Sequence, residues 1–229
     1  MSPDLSQIRG IVLDLWNTIC YSDYEPNPML LIAEALGIAG RPGWKKTIER
    51  GMMTRPHPGI REGLEALERE IGRSIQGGEE ARALLIRRWN EACAATRLYE
   101  DALPALTAVR GRYRLGLLSN TQSFDLDFIR SEGISRLMDV VCLSCDLGRL
   151  KPDPLLFAAA AERLGLPARE ILMIGDSVEE DVQGAIGAGF AAVHLNREGN
   201  PPPVPGAAGA VRLLTEISSL LASPPRGRG

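Results

Sequence analysis

The chain has 229 residues, 45% of them hydrophobic and 24% charged, with a net charge of −3. It is long enough for one large α/β domain, or a core with a smaller insertion, around a substantial buried interior. No basic stripe points to nucleic acid, and no apolar run approaches the ~20 residues needed to cross a bilayer. The opening Met-Ser-Pro-Asp-Leu-Ser-Gln has neither a basic start nor an apolar signal core, so a cytoplasmic location is expected; as to assembly, the choice between monomer and homodimer stays open.

Ile8, Ile11, Val12 and Leu13 form a short, β-branched, mostly apolar run, as in a strand buried on both faces. Asp14 ends that run, with Asn17 and Thr18 in the turn beyond it. From Cys20 to about Leu98 the pattern is helical: Met29, Leu30, Ala33 and Leu36; then Ile60, Leu64, Leu67 and Ile71; then Ala83, Leu84, Ile86, Trp89 and Ala92. Breaks fall at Gly37–Gly43, Arg55–Gly59 and Gly72–Gly78. A four-helix insertion over 21–98 is expected, too long for an ordinary connection and placed to cover whatever Asp14 faces.

From Tyr99 the α/β rhythm returns. Helices are expected over Leu103–Arg110, Phe124–Gly133, Leu155–Leu164, Glu180–Ala188 and Val211–Leu221. Strands are expected at Arg114–Leu118, Met138–Leu143, Ile171–Ile174 and Ala191–Leu195, hence a parallel sheet with right-handed crossovers. Asn200–Gly209 reads as a Pro/Gly loop and residues 223–229 as a disordered tail. Residues 1–20 and 99–222 would form the core. Cys142 and Cys145 make a Cys-x-x-Cys with no second pair, so buried structural thiols are expected rather than a zinc site.

Three of these strands end in reactive groups: Asp14, Ser119 with Asn120, and Asp176; Lys151 lies in the loop after a fourth. In a parallel sheet all those ends share one edge, so the residues converge. Asp14 and Asp176 suit a hard divalent cation, since Mg²⁺ takes one or two carboxylates plus waters and a phosphate oxygen. Lys151 offers a compact positive charge to that phosphate, and Ser119 with nearby amides can bind its other oxygens. A carboxylate so placed can attack phosphorus and split the transfer into two steps.

Asp14-Leu-Trp-Asn-Thr18, Ser119-Asn120, Lys151-Pro152-Asp153 and Gly175-Asp176-Ser-Val-Glu-Glu-Asp181 resemble the four ordered motifs of the haloacid dehalogenase (HAD) superfamily. The resemblance covers nearly all of residues 8–195 and is of the helical-cap type. It implies a Rossmann-like core with an inserted four-helix cap, and hydrolysis of a small phosphorylated substrate through an aspartyl-phosphate. In that scheme Asp14 is nucleophile and Mg²⁺ ligand, the Trp16 carbonyl and Asp176 are further ligands, and Asp181 orders the metal's surroundings. Ser119, Asn120 and Thr18 would bind phosphate and Lys151 would hold it against Asp14.

The family's phosphatases usually carry a second aspartate where this chain has Trp16, which can neither protonate a leaving oxygen nor activate water. Acid–base help is worth roughly 10²- to 10⁴-fold. Substrates whose leaving group departs as a stabilised anion are therefore favoured, unless the cap supplies an acid. Asp23 and Glu25 are the nearest substitutes in sequence, with Tyr21, Tyr24, Lys45 and Lys46 also within reach of the insertion. Two alternatives remain: a metal-independent 2-haloacid dehalogenase, with Arg41 or Arg55 on a substrate carboxylate, or a weakened phosphate-binding pseudoenzyme.

Overall fold

The computed structural model describes residues 3–124, 126–199 and 203–222. Strand β1 (Gly10–Leu13) is fully buried because successive side chains face opposite layers. Ile11 and Leu13 enter one apolar cluster and Val12 the other. Then come β2 (Cys20–Tyr21), the helices α1 (Pro28–Ala35), α2 (Trp44–Met53), α3 (Ile60–Ile71) and α4 (Gly78–Ala94), and β3 (Arg97–Leu98). The second stretch runs α5 (Ala102–Val109), β4 (Arg114–Ser119), α6 (Asp127–Ser131), α7 (Ile134–Leu137), β5 (Val140–Leu143), α8 (Ser144–Leu147) and α9 (Pro154–Leu164). It closes with β6 (Ile171–Gly175), a π-helical turn (Val178–Gln183) leading into α10 (Gly184–Gly187), β7 (Ala191–Leu195), β8 (Gly209–Val211) and α11 (Glu216–Ala222).

Six strands form one parallel sheet in the order β5-β4-β1-β6-β7-β8. This is a Rossmann-like layout with helices on both faces, and it sets β1 between the strands that end at Ser119 and Gly175. Helices α1–α4 pack on a separate apolar cluster that includes Ile32, Ile48, Met52, Leu64, Leu67 and Trp89. Among the described residues no helix is long and apolar enough to cross a membrane.

Four local expectations need correction. The sheet has a sixth strand, β8, in the stretch expected as the end of a loop, and the last helix begins at Glu216 rather than Val211. Three residues are too few for a periodic signal, and they become a strand through pairing with β7. The two-residue strands β2 and β3 pair antiparallel where the insertion leaves and re-enters the core, again below what periodicity detects. Phe124 lies outside α6 and packs in the α1–α4 cluster, its ring 5.8 Å from that of Trp89. The expected tail at 223–229 lies outside the described residues. Cys142 and Cys145 are buried free thiols, and burial pushes Cys145 up to about 12.

Candidate active site

Four sheet connections meet over the carboxyl end of β1. Asp14 is 5% exposed, and its amide donates to the Ile174 carbonyl of β6 at 2.9 Å, which ties the first strand's end to the fourth motif. Lys151 is 3% exposed and donates from Nζ to Asp14 Oδ1 at 2.6 Å and to Asp181 Oδ1 at 2.5 Å. Asn120 holds the Lys151 main chain: its Oδ1 accepts from Lys151 N at 2.7 Å and its Nδ2 donates to Lys151 O at 3.3 Å. Just beyond, the Asp153 side chain caps the N-terminus of α9, accepting from Leu155 N at 2.9 Å with Pro154 in the first turn. The loop carrying Lys151 is thus fixed from both sides.

The π-helical turn positions Asp181. One extra residue per turn swings its carboxylate inward, where it is 1% exposed and accepts from Ser177 N at 3.0 Å. That approach depends on Gly175, where an added Cβ would collide with the Asp181 carboxylate. Asn17, at φ 57°, turns the chain after β1, and its side chain meets Asp176. His194 Nε2 lies 3.1 Å from the Asp176 carbonyl, so the strand beside β6 also anchors that loop.

Asp14, Asp176 and Asp181 each bring a carboxylate oxygen within 4.8 Å of the others, and Lys151 is the cation that pairs with two of them. Burial pushes Asp14 up more strongly than Lys151 pulls it down, and Asp181 and Asp176 add repulsion. Asp176 is raised for the same first reason, then by Asp181. Burial alone would lower Lys151, but Asp14 and Asp181 outweigh it and hold the ammonium above its usual range. Three clustered carboxylates against one ammonium leave uncompensated negative charge facing the cavity. An all-oxygen donor set of that kind fits a hard divalent cation.

The cavity holds about 300 Å³ and is lined by core and cap together. Asp14, Trp16, Asn120, Lys151, Asp176 and Asp181 face it from below, and Met29, Lys45, Glu49, Met53 and Trp89 from the helices above. Trp16 donates from Nε1 to Thr121 Oγ1 at 3.2 Å and packs 5.6 Å from Phe128, so its ring is a wall of the cavity. Ser119 and Thr18 are fully buried beneath and do not line it, and among the described residues neither hydroxyl has a hydrogen-bond partner. The Thr18 carbonyl accepts from Arg197 Nη2 at 2.7 Å. Lys46 bridges cap to core at the rim, 2.9 Å from Glu179 and 3.6 Å from Glu180.

The nearest substitutes in sequence for a missing acid are not brought to the site. Asp23 and Glu25 are exposed and do not line the cavity, and Glu25 instead accepts from Asn27 N at 3.2 Å. Arg41 is exposed outside it, and Arg55 pairs with Glu70 at 3.3 Å. Tyr21 stacks on Tyr99; Tyr24 does line the cavity, but its hydroxyl is bound to Glu91. Sequence reasoning missed Glu49, and it gave Asn17 no role beyond the turn and His194 no role at all. The signal for Glu49 was present in the helical spacing of Lys45, Glu49 and Met53, one line of α2 beside the apolar pair Ile48 and Met52.

A phosphatase of Mycobacterium tuberculosis is 32% identical to this chain over 154 residues, 66% of this chain and 67% of that one. A (S)-2-haloacid dehalogenase of Burkholderia cepacia is 32% identical over 106 residues, 45% of this chain and 46% of that one. For several of the curated relatives it matches, the chain spans about half their length or less. Among solved structures, a HAD phosphatase from Thermococcus onnurineus superposes with a TM-score of 0.63 at 24% identity, over 95% of this chain and 99% of that one, which supports the fold. The family model for haloacid dehalogenase-like hydrolases matches residues 8–189, which takes in every motif gathered around Asp14. With that match over most of its length, the chain belongs to the haloacid dehalogenase-like hydrolase family.

Proposed function

We propose that this hydrolase is a Mg²⁺-dependent phosphatase acting on a small phosphorylated metabolite through an aspartyl-phosphate on Asp14. The observation that carries the reading is the pairing of a buried strand-end carboxylate, Asp14, with a buried ammonium, Lys151, beside the further carboxylates Asp176 and Asp181. Asp14, Asp176 and the Trp16 main-chain carbonyl would hold the metal, which when bound neutralises charge on the phosphoryl oxygens. Asp14 attacks phosphorus, and Lys151 keeps the phosphate against it and favours the ionised form of the nucleophile. The unpartnered hydroxyls of Ser119 and Thr18 lie beneath the cavity and would reach phosphate oxygens only if the floor shifts on binding. Asn120 acts in this reading by fixing the Lys151 main chain as well as by bordering the phosphate. Asp181 orients Lys151 from behind.

The same charge argues against the dehalogenase alternative. Three carboxylates facing the cavity would repel a carboxylate substrate, whereas with a divalent cation they attract a phosphate.

Phosphate release from acetyl phosphate, measured with Mg²⁺ and with a chelator, tests the reading. Release that needs Mg²⁺ is the expected result. Halide release from a 2-haloacid without metal, and no phosphate release, would overturn it.

The metal site has a separate readout. Millimolar Mg²⁺ is expected to raise the melting temperature, since a ligand at 100 times its Kd stabilises by roughly 2.7 kcal/mol. Asp176→Asn should abolish that rise. An equal rise in the variant would move the metal elsewhere.

A further inference from the structure

Glu49 lies on α2 in the cap and lines the cavity opposite Asp14, in one stripe with Lys45 and Met53. It is 5% exposed, and among the described residues its Oε2 is buried without a hydrogen-bond partner. Its other oxygen is 3.9 Å from the Nζ of Lys45, a side chain 67% exposed to solvent, so the pair is loose. A buried carboxyl oxygen left unpartnered is costly to a fold and calls for an explanation from function.

Elimination points the same way. The carboxylates lining the cavity are Asp14, Asp176 and Asp181 in the core cluster, Glu180 at the rim, and Glu49. Glu180 is engaged through both oxygens, accepting from Asn120 Nδ2 at 3.1 Å and lying 3.6 Å from Lys46 Nζ. Trp16 points its one donor at Thr121. Among the described residues, Glu49 is therefore the cavity-lining carboxyl with an oxygen left uncommitted, and it faces the substrate space from the cap.

We infer that Glu49 is the proton donor and acceptor of the reaction, supplied by the cap in place of the acid missing at Trp16. This rests on the aspartyl-phosphate reading. As an Asp14 oxygen bonds to phosphorus, the bond from phosphorus to the substrate oxygen breaks, and that oxygen takes the Glu49 proton and leaves as an alcohol. The Glu49 carboxylate then takes a proton from the water that attacks phosphorus. The bond to Asp14 breaks, phosphate leaves, and Glu49 ends protonated as it began.

The surroundings suit the task. Burial first, then repulsion from Glu180, pushes Glu49 up to about 7 against the pull of Lys45, Lys46 and Lys151, so the acid form persists to neutral pH. With this group in place the substrate class extends from acyl phosphates to phosphate esters of alcohols. Met29, Met53, Trp16 and Trp89 offer that alcohol's carbon skeleton an apolar wall.

The test compares the native enzyme with Glu49→Gln and Glu49→Asp on acetyl phosphate and glycerol phosphate, in single and multiple turnover with Mg²⁺. Glu49→Gln is expected to slow phosphoryl transfer from glycerol phosphate by about 10²- to 10⁴-fold. Transfer from acetyl phosphate to Asp14 should persist as a burst of one acetate per enzyme, followed by slow phosphate release. In the native enzyme, turnover of glycerol phosphate should fall as pH rises through about 7. The glutamine variant should lose that limb, and the aspartate variant should recover part of the rate. Equal slowing of transfer from both substrates, or an unchanged rate on glycerol phosphate, would overturn the assignment of Glu49. A native enzyme inactive on both substrates would overturn the phosphatase reading beneath it.

Discussion

Asp14→Asn is expected to lower phosphate release by on the order of 10⁶-fold, to the limit of detection, the scale seen when a covalent nucleophile is removed. The amide keeps the side chain's shape but has no carboxylate to attack phosphorus. The same change should raise stability at alkaline pH. Asp14 in the metal-free protein is held above its usual range by burial, then by Asp181 and Asp176, despite Lys151. The folded state therefore binds more protons than the unfolded state between the ordinary and raised values, and native stability falls as pH rises through that window. Asparagine does not titrate, so the variant should melt progressively higher than the native protein from about pH 4 upward, without metal. A variant that melts lower at pH 8 would show that the ion pair with Lys151 outweighs burial.

Lys151→Met should be among the more damaging single changes to the metal-free fold. Nζ lies 2.6 Å from Asp14 and 2.5 Å from Asp181, all three side chains at 7% exposure or less. Removing the ammonium leaves two buried carboxylates facing each other, and breaking a buried pair in this way costs about 3–5 kcal/mol. Lysine's contribution is complete below its unfolded pKa of roughly 10.4 and would be lost only above its raised folded value, so the ammonium stays charged throughout the neutral range. In the variant the carboxylates can take up protons as pH falls. The loss in melting temperature should therefore be largest near pH 8 and smaller near pH 5. An equal loss at both pH values would assign the effect to packing rather than charge. Phosphate release should fall with it, because Lys151 is, among the described residues, the cation paired with both Asp14 and Asp181.

By itself the sequence determined the core and the nucleophile's neighbourhood. Buried parallel strands read as continuous apolar runs, so β1, β4, β5, β6 and β7 announce themselves, and a polar group that ends such a run must lie on the carboxyl edge of the sheet. Asp14, Ser119 with Asn120, Lys151 and Asp176 could be gathered on that logic before any fold was known, and all but Ser119 line one cavity; Asp181, which lines it too, came from the family resemblance. The three-residue β8 and the β2–β3 pair could not, because pairing rather than local pattern makes them strands.

That a four-helix insertion exists was legible in the sequence; which of its residues face the site was decided by tertiary structure. Which face of α2 meets the site depends on how α2 packs on α3, where Gly51 lets the Leu67 side chain approach closely. That rotation turns Glu49 inward, whereas Asp23 and Glu25, nearer to Asp14 along the chain, lie before α1 and stay in solvent. Strand-end residues are placed by short-range rules that a sequence carries openly. A residue delivered from an inserted helix is placed by contacts between distant segments, and those exist only once the chain has folded.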